Sequence, residues 1–149
     1  MKSNVSRAIV GGLVGTLAMT TMMYLVAPVM GVKMDIAGSL AGMLAAPWAV
    51  GLMMHFLNGA VIFPLIYSLA LFRYLKGGAT VRGITWGVVL WLMAQLLVMP
   101  MIGAGVFSSR MGGTMAVAAS LLAHVVYGAL LGSIGGSTSV ESRISTARA

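Results

Sequence analysis

His55 and His124 are the two histidines of this chain, and they sit in nearly the same local frame. Gly51 stands one helical turn before His55, with Gly59 and Ala60 one turn after it. Ser120 stands in the same place before His124, with Gly128 and Ala129 after it. Helical positions four apart share a face, so each ring is flanked by small side chains. A neutral imidazole can ligate a metal, or donate one hydrogen bond while accepting another. Two of them brought together would form an axial pair for a haem iron.

Other reactive groups are sparse. The chain has no cysteine, which excludes disulfides, thiolate zinc sites, cysteine-held iron–sulfur clusters and covalent haem attachment. Asp35 and Glu141 are its two carboxylates, and both lie outside the apolar stretches, so an intramembrane carboxylate relay is excluded. No Gly-rich loop joins a strand to a helix, and no serine is grouped with a histidine and a carboxylate. Methionine is abundant, at 14 residues. Thioethers together with imidazoles suit Cu(I), although methionine is also an ordinary apolar filler.

The elements that must position the histidines follow from composition. The chain is 60% hydrophobic and 7% charged, against roughly 25% charged in soluble domains. Four stretches reach the about 20 apolar residues that a membrane crossing needs: about 8–30, 47–71, 83–103 and 114–135. The expected fold is all-α: a four-transmembrane-helix up-down-up-down bundle over 1–136, followed by a disordered cytoplasmic tail over 137–149. Ile36–Ala46 is apolar enough for a short surface helix, and Pro47 suits the first position of the second span. Pro64 should kink that span.

Charge placement predicts orientation. Lys2, Arg7, Arg73, Lys76, Arg82, Arg143 and Arg148 fall on one side of the bundle, and Lys33 and Arg110 on the other. The positive-inside rule puts both termini in the cytoplasm and the chain in a bacterial inner membrane. The net charge of +7 then serves topology and contact with anionic lipid, not nucleic acid.

The two halves share an order of motifs. Arg7-x-Ile9-x-x-Gly12 corresponds to Arg82-x-Ile84-x-x-Gly87, and Pro28-x-x-Gly31 to Pro100-x-x-Gly103. The His-x-x-x-Gly-Ala frames follow in the second and fourth spans. Two tandem helical-hairpin repeats are expected, with a pseudo-twofold axis along the membrane normal. The second and fourth spans would then be diagonal neighbours, with both rings some 12–15 Å, roughly, below the outer boundary.

This His/Gly frame resembles that of membrane b-type cytochromes, whose histidines lie on parallel helices with glycines facing the ring. The resemblance implies one haem b, with His55 and His124 as axial ligands to iron. It implies Gly51, Gly59, Ser120, Gly128 and Gly132 as packing against the macrocycle, and Lys33 and Arg110 as propionate partners. The role would be a one-haem electron carrier or accessory subunit. The whole chain is also similar in layout to small four-helix bacterial integral membrane proteins of unknown function. Small-xxx-small spacing is equally the ordinary means of close helix packing, which leaves a non-catalytic structural subunit of a larger complex, or a homo-oligomer, as the alternative. Transport or Cu(I) handling is a third reading.

Overall fold

The computed structural model describes residues 3–136. These residues form α1 (Val5–Val29), α2 (Ile36–Met43), α3 (Trp48–Leu71), α4 (Ala79–Met101) and α5 (Gly113–Gly135). All but α2 are long and apolar enough to cross a membrane. No strand forms among the described residues, and the tail expected at 137–149 lies outside them. Large apolar side chains such as Leu13, Leu17, Leu69, Leu97 and Leu122 lie exposed on the outer faces of the spans, the pattern of a surface solvated by lipid.

α4 begins four residues before the expected position, because Arg82 belongs to its first turn. The Arg82 main-chain N–H donates to the Gly78 carbonyl. Its guanidinium turns back to donate to the Phe72 and Gly77 carbonyls and lies over the Phe72 ring. Arg7 behaves similarly at the start of α1, where Asn4 caps the helix and Arg7 Nε donates to the Ile134 carbonyl at the end of α5. Each arginine thus satisfies carbonyls left unpaired near the end of another span. A charge that breaks an apolar window is here part of the helix.

The far ends of α1 and α4 also match. Gly31 and Gly103 are both left-handed, at φ 75° and 81°. In each case the glycine N–H donates to the proline carbonyl three residues back. The next N–H donates to the carbonyl one residue earlier than that, from Val32 to Ala27 and from Ala104 to Met99. This is the glycine-terminated helix cap that the Pro-x-x-Gly spacing encodes.

Glycine sets the packing order. α4 meets α5 where Gly83 lies on Gly128 and Gly132, and Gly87 on the His124 carbonyl. α1 meets α5 through Gly11 on Leu131 and Gly15 on Tyr127, and meets α3 through Gly12 on Pro64. The spans therefore run α3, α1, α5, α4 around the bundle, and α3 stands diagonally to α5. No comparably packed seam joins α3 to α4. Their ties lie toward the end of the bundle that holds the chain start: Phe63 meets Trp86 edge-on at 6.4 Å, and the Tyr67 hydroxyl donates to the Ala79 carbonyl.

α2 lies across the opposite end, packed on α3. Asp35 caps it by accepting from the Gly38 N–H at 2.8 Å. Gly51 permits the approach, since its missing side chain would strike the Ala37 carbonyl and Ala41 nitrogen.

Candidate functional site

His55 and His124 line one cavity of about 180 Å³ inside the bundle. α1 contributes Thr16, Met19 and Met23, α3 contributes Asn58, Gly59 and Phe63, and α2 contributes Ile36 and Leu40. α4 contributes Leu90, Met93, Ala94, Val98 and Met99, and α5 contributes Ser120 and Tyr127. The wall is almost wholly apolar. Its weakly joined side is the gap between α3 and α4, where Met93 both lines the cavity and is 46% exposed on the bundle surface.

Three of the four spans change their winding beside this space. Met22–Val26 in α1, Asn58–Ile62 in α3 and Ala94–Val98 in α4 adopt π-helical hydrogen bonding. Each of these segments contributes lining residues: Met23, Asn58 and Gly59, and Ala94 and Val98. A π turn widens a helix by inserting a residue, re-aims its side chains, and recurs at functional sites. α5, which carries His124, stays regular.

Hydrogen bonding engages one nitrogen of each ring. The Thr20 hydroxyl donates its one proton to the Thr16 carbonyl at 2.7 Å. Its contact with His55 Nε2 at 3.1 Å is satisfied at the same time when the ring donates from Nε2. In that arrangement neutral His55 carries its proton on Nε2. His124 Nδ1 lies 2.8 Å from the Ser120 carbonyl, which can only accept. Neutral His124 thus carries its proton on Nδ1 and presents a bare Nε2.

A buried polar chain steadies His124 from behind. Gln95, fully buried, donates through Nε2 to Ser120 Oγ at 3.3 Å and accepts from Ser108 Oγ at 3.0 Å. Ser108 reaches that position from a strained loop in which Phe107 and Ser108 are left-handed, at φ 50° and 51°. Phe107 packs on Trp91 at 5.7 Å. Gln95, Thr16, Thr20, Asn58 and Tyr127 are polar residues within apolar spans and stand out in the sequence for that reason. Ser108 does not, because its part depends on a backbone conformation that serine rarely adopts.

The structure brings His55, His124, Gly59 and Ser120 to one cavity. Other residues expected beside a macrocycle lie elsewhere. Gly51 is filled by α2, and Gly128 and Gly132 by α4. The Cβ position of Gly59 is itself taken by Thr16. These glycines serve helix approach, the second use that small-xxx-small spacing allows. Lys33 and Arg110 are exposed and do not line the cavity.

The sequence is not close to any curated protein, and no solved structure matches it. A family model described as a family of unknown function, DUF6789, matches residues 2–145, and the chain belongs to that family.

Proposed function

We propose that this membrane protein binds a small lipid-soluble molecule in the histidine cavity and admits it sideways from the bilayer, between α3 and α4. The observation that carries this reading is an apolar cavity holding both histidines, placed beside the one pair of neighbouring spans without a packed seam. The volume agrees with it. An apolar cavity of about 150 Å³ takes one benzene ring, and this cavity is about 180 Å³. Intramembrane ionisable residues mark ligand or ion pathways by default, and here both converge on that space. We place the chain in a bacterial inner membrane with both termini cytoplasmic, on the charge asymmetry of its loops.

A bis-histidine haem fits these residues less well. The faces of Gly51, Gly128 and Gly132 are filled by neighbouring helices, and His55 Nε2 is engaged by Thr20. A macrocycle therefore requires the spans to separate, whereas a single ring does not.

A fluorinated alkylbenzene tests the proposal. In nanodiscs, it should give a saturable bound ¹⁹F resonance with the wild-type protein. Ala94→Phe, which fills the cavity from α4, should abolish that resonance while leaving the protein inserted. A wild-type protein that shows only partitioning into lipid would overturn the reading.

One observation favours a second reading, Cu(I) binding. Met19, Met23, Met34, Met93 and Met99 line the same cavity as the two imidazoles, a soft donor set with no carboxylate. Anaerobic competition with bicinchoninate decides it: retention of about one Cu(I) by wild-type protein and not by His124→Ala supports the metal, and no retention removes it.

A further inference from the structure

We propose that the molecule bound in this cavity is a single aromatic ring bearing a hydroxyl group, a phenol or hydroquinone, held by donation of its O–H to Nε2 of His124. The proposal rests on the cavity reading above and adds the chemistry that the cavity selects.

The argument begins with the tautomer. The Ser120 carbonyl takes the proton side of the His124 ring, so Nε2 is left as a lone-pair acceptor. No side chain or main-chain group among the described residues donates to it. Among the described residues, the unpaired side-chain polar atoms sealed from all space are Ser3 Oγ and the indole nitrogens of Trp86 and Trp91. His124 Nε2 is not one of them, so it keeps accessible surface. His124 is one of the residues that line the cavity, and on this proposal Nε2 stands at that wall.

Among the described residues no donor of the cavity is bonded to this nitrogen, neither the Ser120 hydroxyl, which accepts from Gln95, nor the Asn58 amide. The Tyr127 hydroxyl is used by the Gly59 carbonyl at 2.7 Å, and the Thr16 and Thr20 hydroxyls by carbonyls of α1. In an apolar wall an unmet acceptor is costly, and a ligand that brings a donor removes that cost. A plain hydrocarbon ring does not. A carboxylic acid or an amine would bring a charge that this wall, with no ionised partner, cannot accommodate. A neutral hydroxyl on a ring meets the size, the polarity and the hydrogen-bond requirement together. The Asn58 side-chain amide, which also lines the cavity and makes no hydrogen bond among the described residues, offers both a donor and an acceptor to a second oxygen. That places a 1,4-hydroquinone among the best-matched members of the class.

The deciding experiment compares three probes on the inserted protein: decylhydroquinone, its dimethyl ether and decylbenzene. The hydroquinone should bind at least about tenfold more tightly than the ether, the contribution of one hydrogen bond in such a setting. His124→Phe should abolish that preference while decylbenzene still binds. Because His124→Phe itself could unfold the bundle, a second readout uses the wild type. On addition of hydroquinone, the ¹⁵N resonance of His124 Nε2 should shift as its lone pair accepts a proton donor, and the dimethyl ether should leave it unmoved. Equal binding of all three probes would overturn the hydroxyl requirement and leave the cavity reading intact. A shift confined to His55 would overturn the assignment to His124. Binding of none would overturn the cavity reading itself.

Discussion

The Tyr127 hydroxyl of α5 donates to the Gly59 carbonyl of α3, across the diagonal of the bundle, at 2.7 Å. The bond answers a deficit in the sequence of α3. At the π segment Asn58–Ile62 the Phe63 N–H serves the Asn58 carbonyl five residues back. The next partner in that ladder would be residue 64, which is proline and has no N–H. Gly59 is therefore the orphaned acceptor. In lipid no water can serve it, so a side chain from another helix does. The proline ring itself settles against Gly12 of α1.

Tyr127→Phe should consequently destabilise the fold by about 1 kcal/mol, near the upper part of the range for intramembrane hydrogen bonds. Pro64→Ala restores an N–H and should weaken the dependence on Tyr127. In a double-mutant cycle followed by denaturant unfolding in mixed micelles, the tyrosine change should cost less in the Pro64→Ala background. Strict additivity would show that the two residues are not coupled in this way.

Glycine positions divide by what a methyl group would meet. At Gly83 it would strike the Gly128 carbonyl and the Gly132 backbone, none of which can yield without parting α4 from α5. At Gly42, on the open side of α2, it would meet nothing within 4 Å. Gly83→Ala should cost on the order of 1–3 kcal/mol through overpacking. Gly42→Ala should be neutral or stabilising by up to about 1 kcal/mol through helix propensity. Thermal unfolding in detergent separates the two, and equal effects would contradict the packing described.

Orientation can be tested cleanly because the chain has no cysteine. Gly42 and Gly78 lie at opposite ends of the bundle, and each has room for a side chain. Gly42→Cys should react with a membrane-impermeant maleimide in intact cells. Gly78→Cys should react only after permeabilisation. The reverse pattern would invert the proposed topology.

Much of the fold was legible in the sequence because lipid imposes simple rules. Apolar length located four spans, and paired motifs located the matching caps at Gly31 and Gly103. The site was legible only in part. The sequence marked the two histidines and their small neighbours, and it could not distinguish glycines that admit a ligand from glycines that admit a helix. That choice depends on which face meets which neighbour: Gly128 faces α4, and Gly59 faces Thr16. The ring partners were likewise illegible, since they depend on which carbonyl or hydroxyl each ring meets: Ser120 for His124 and Thr20 for His55. The gap between α3 and α4 depends on which spans pack, which spacing within one span does not encode.

Asp35 provides the pH-dependent prediction. Burial alone would raise its carboxyl. The hydrogen bonds donated by Tyr24 and the Gly38 N–H, and by the Trp48 indole, outweigh that and hold it below its ordinary value of 3.8. The Tyr24 bond is 2.6 Å, and the Trp48 indole lies 3.1 and 3.2 Å from the two oxygens. A carboxyl lowered on folding stabilises the fold above its unfolded pKa, and that contribution is lost as pH falls through the folded value. The clasp joining α1, α2 and the start of α3 should therefore be indifferent to pH through the neutral range and loosen only below the ordinary carboxylate range. The Trp48 indole N–H resonance reports it directly. It should stay fixed down to about pH 4 and move below that. In Asp35→Asn it should start displaced and no longer respond to acid. The Trp86 indole, which has no hydrogen-bond partner among the described residues, should stay still throughout. A Trp48 resonance that titrates near neutrality, or titrates equally in Asp35→Asn, would show that another group governs this end of the bundle.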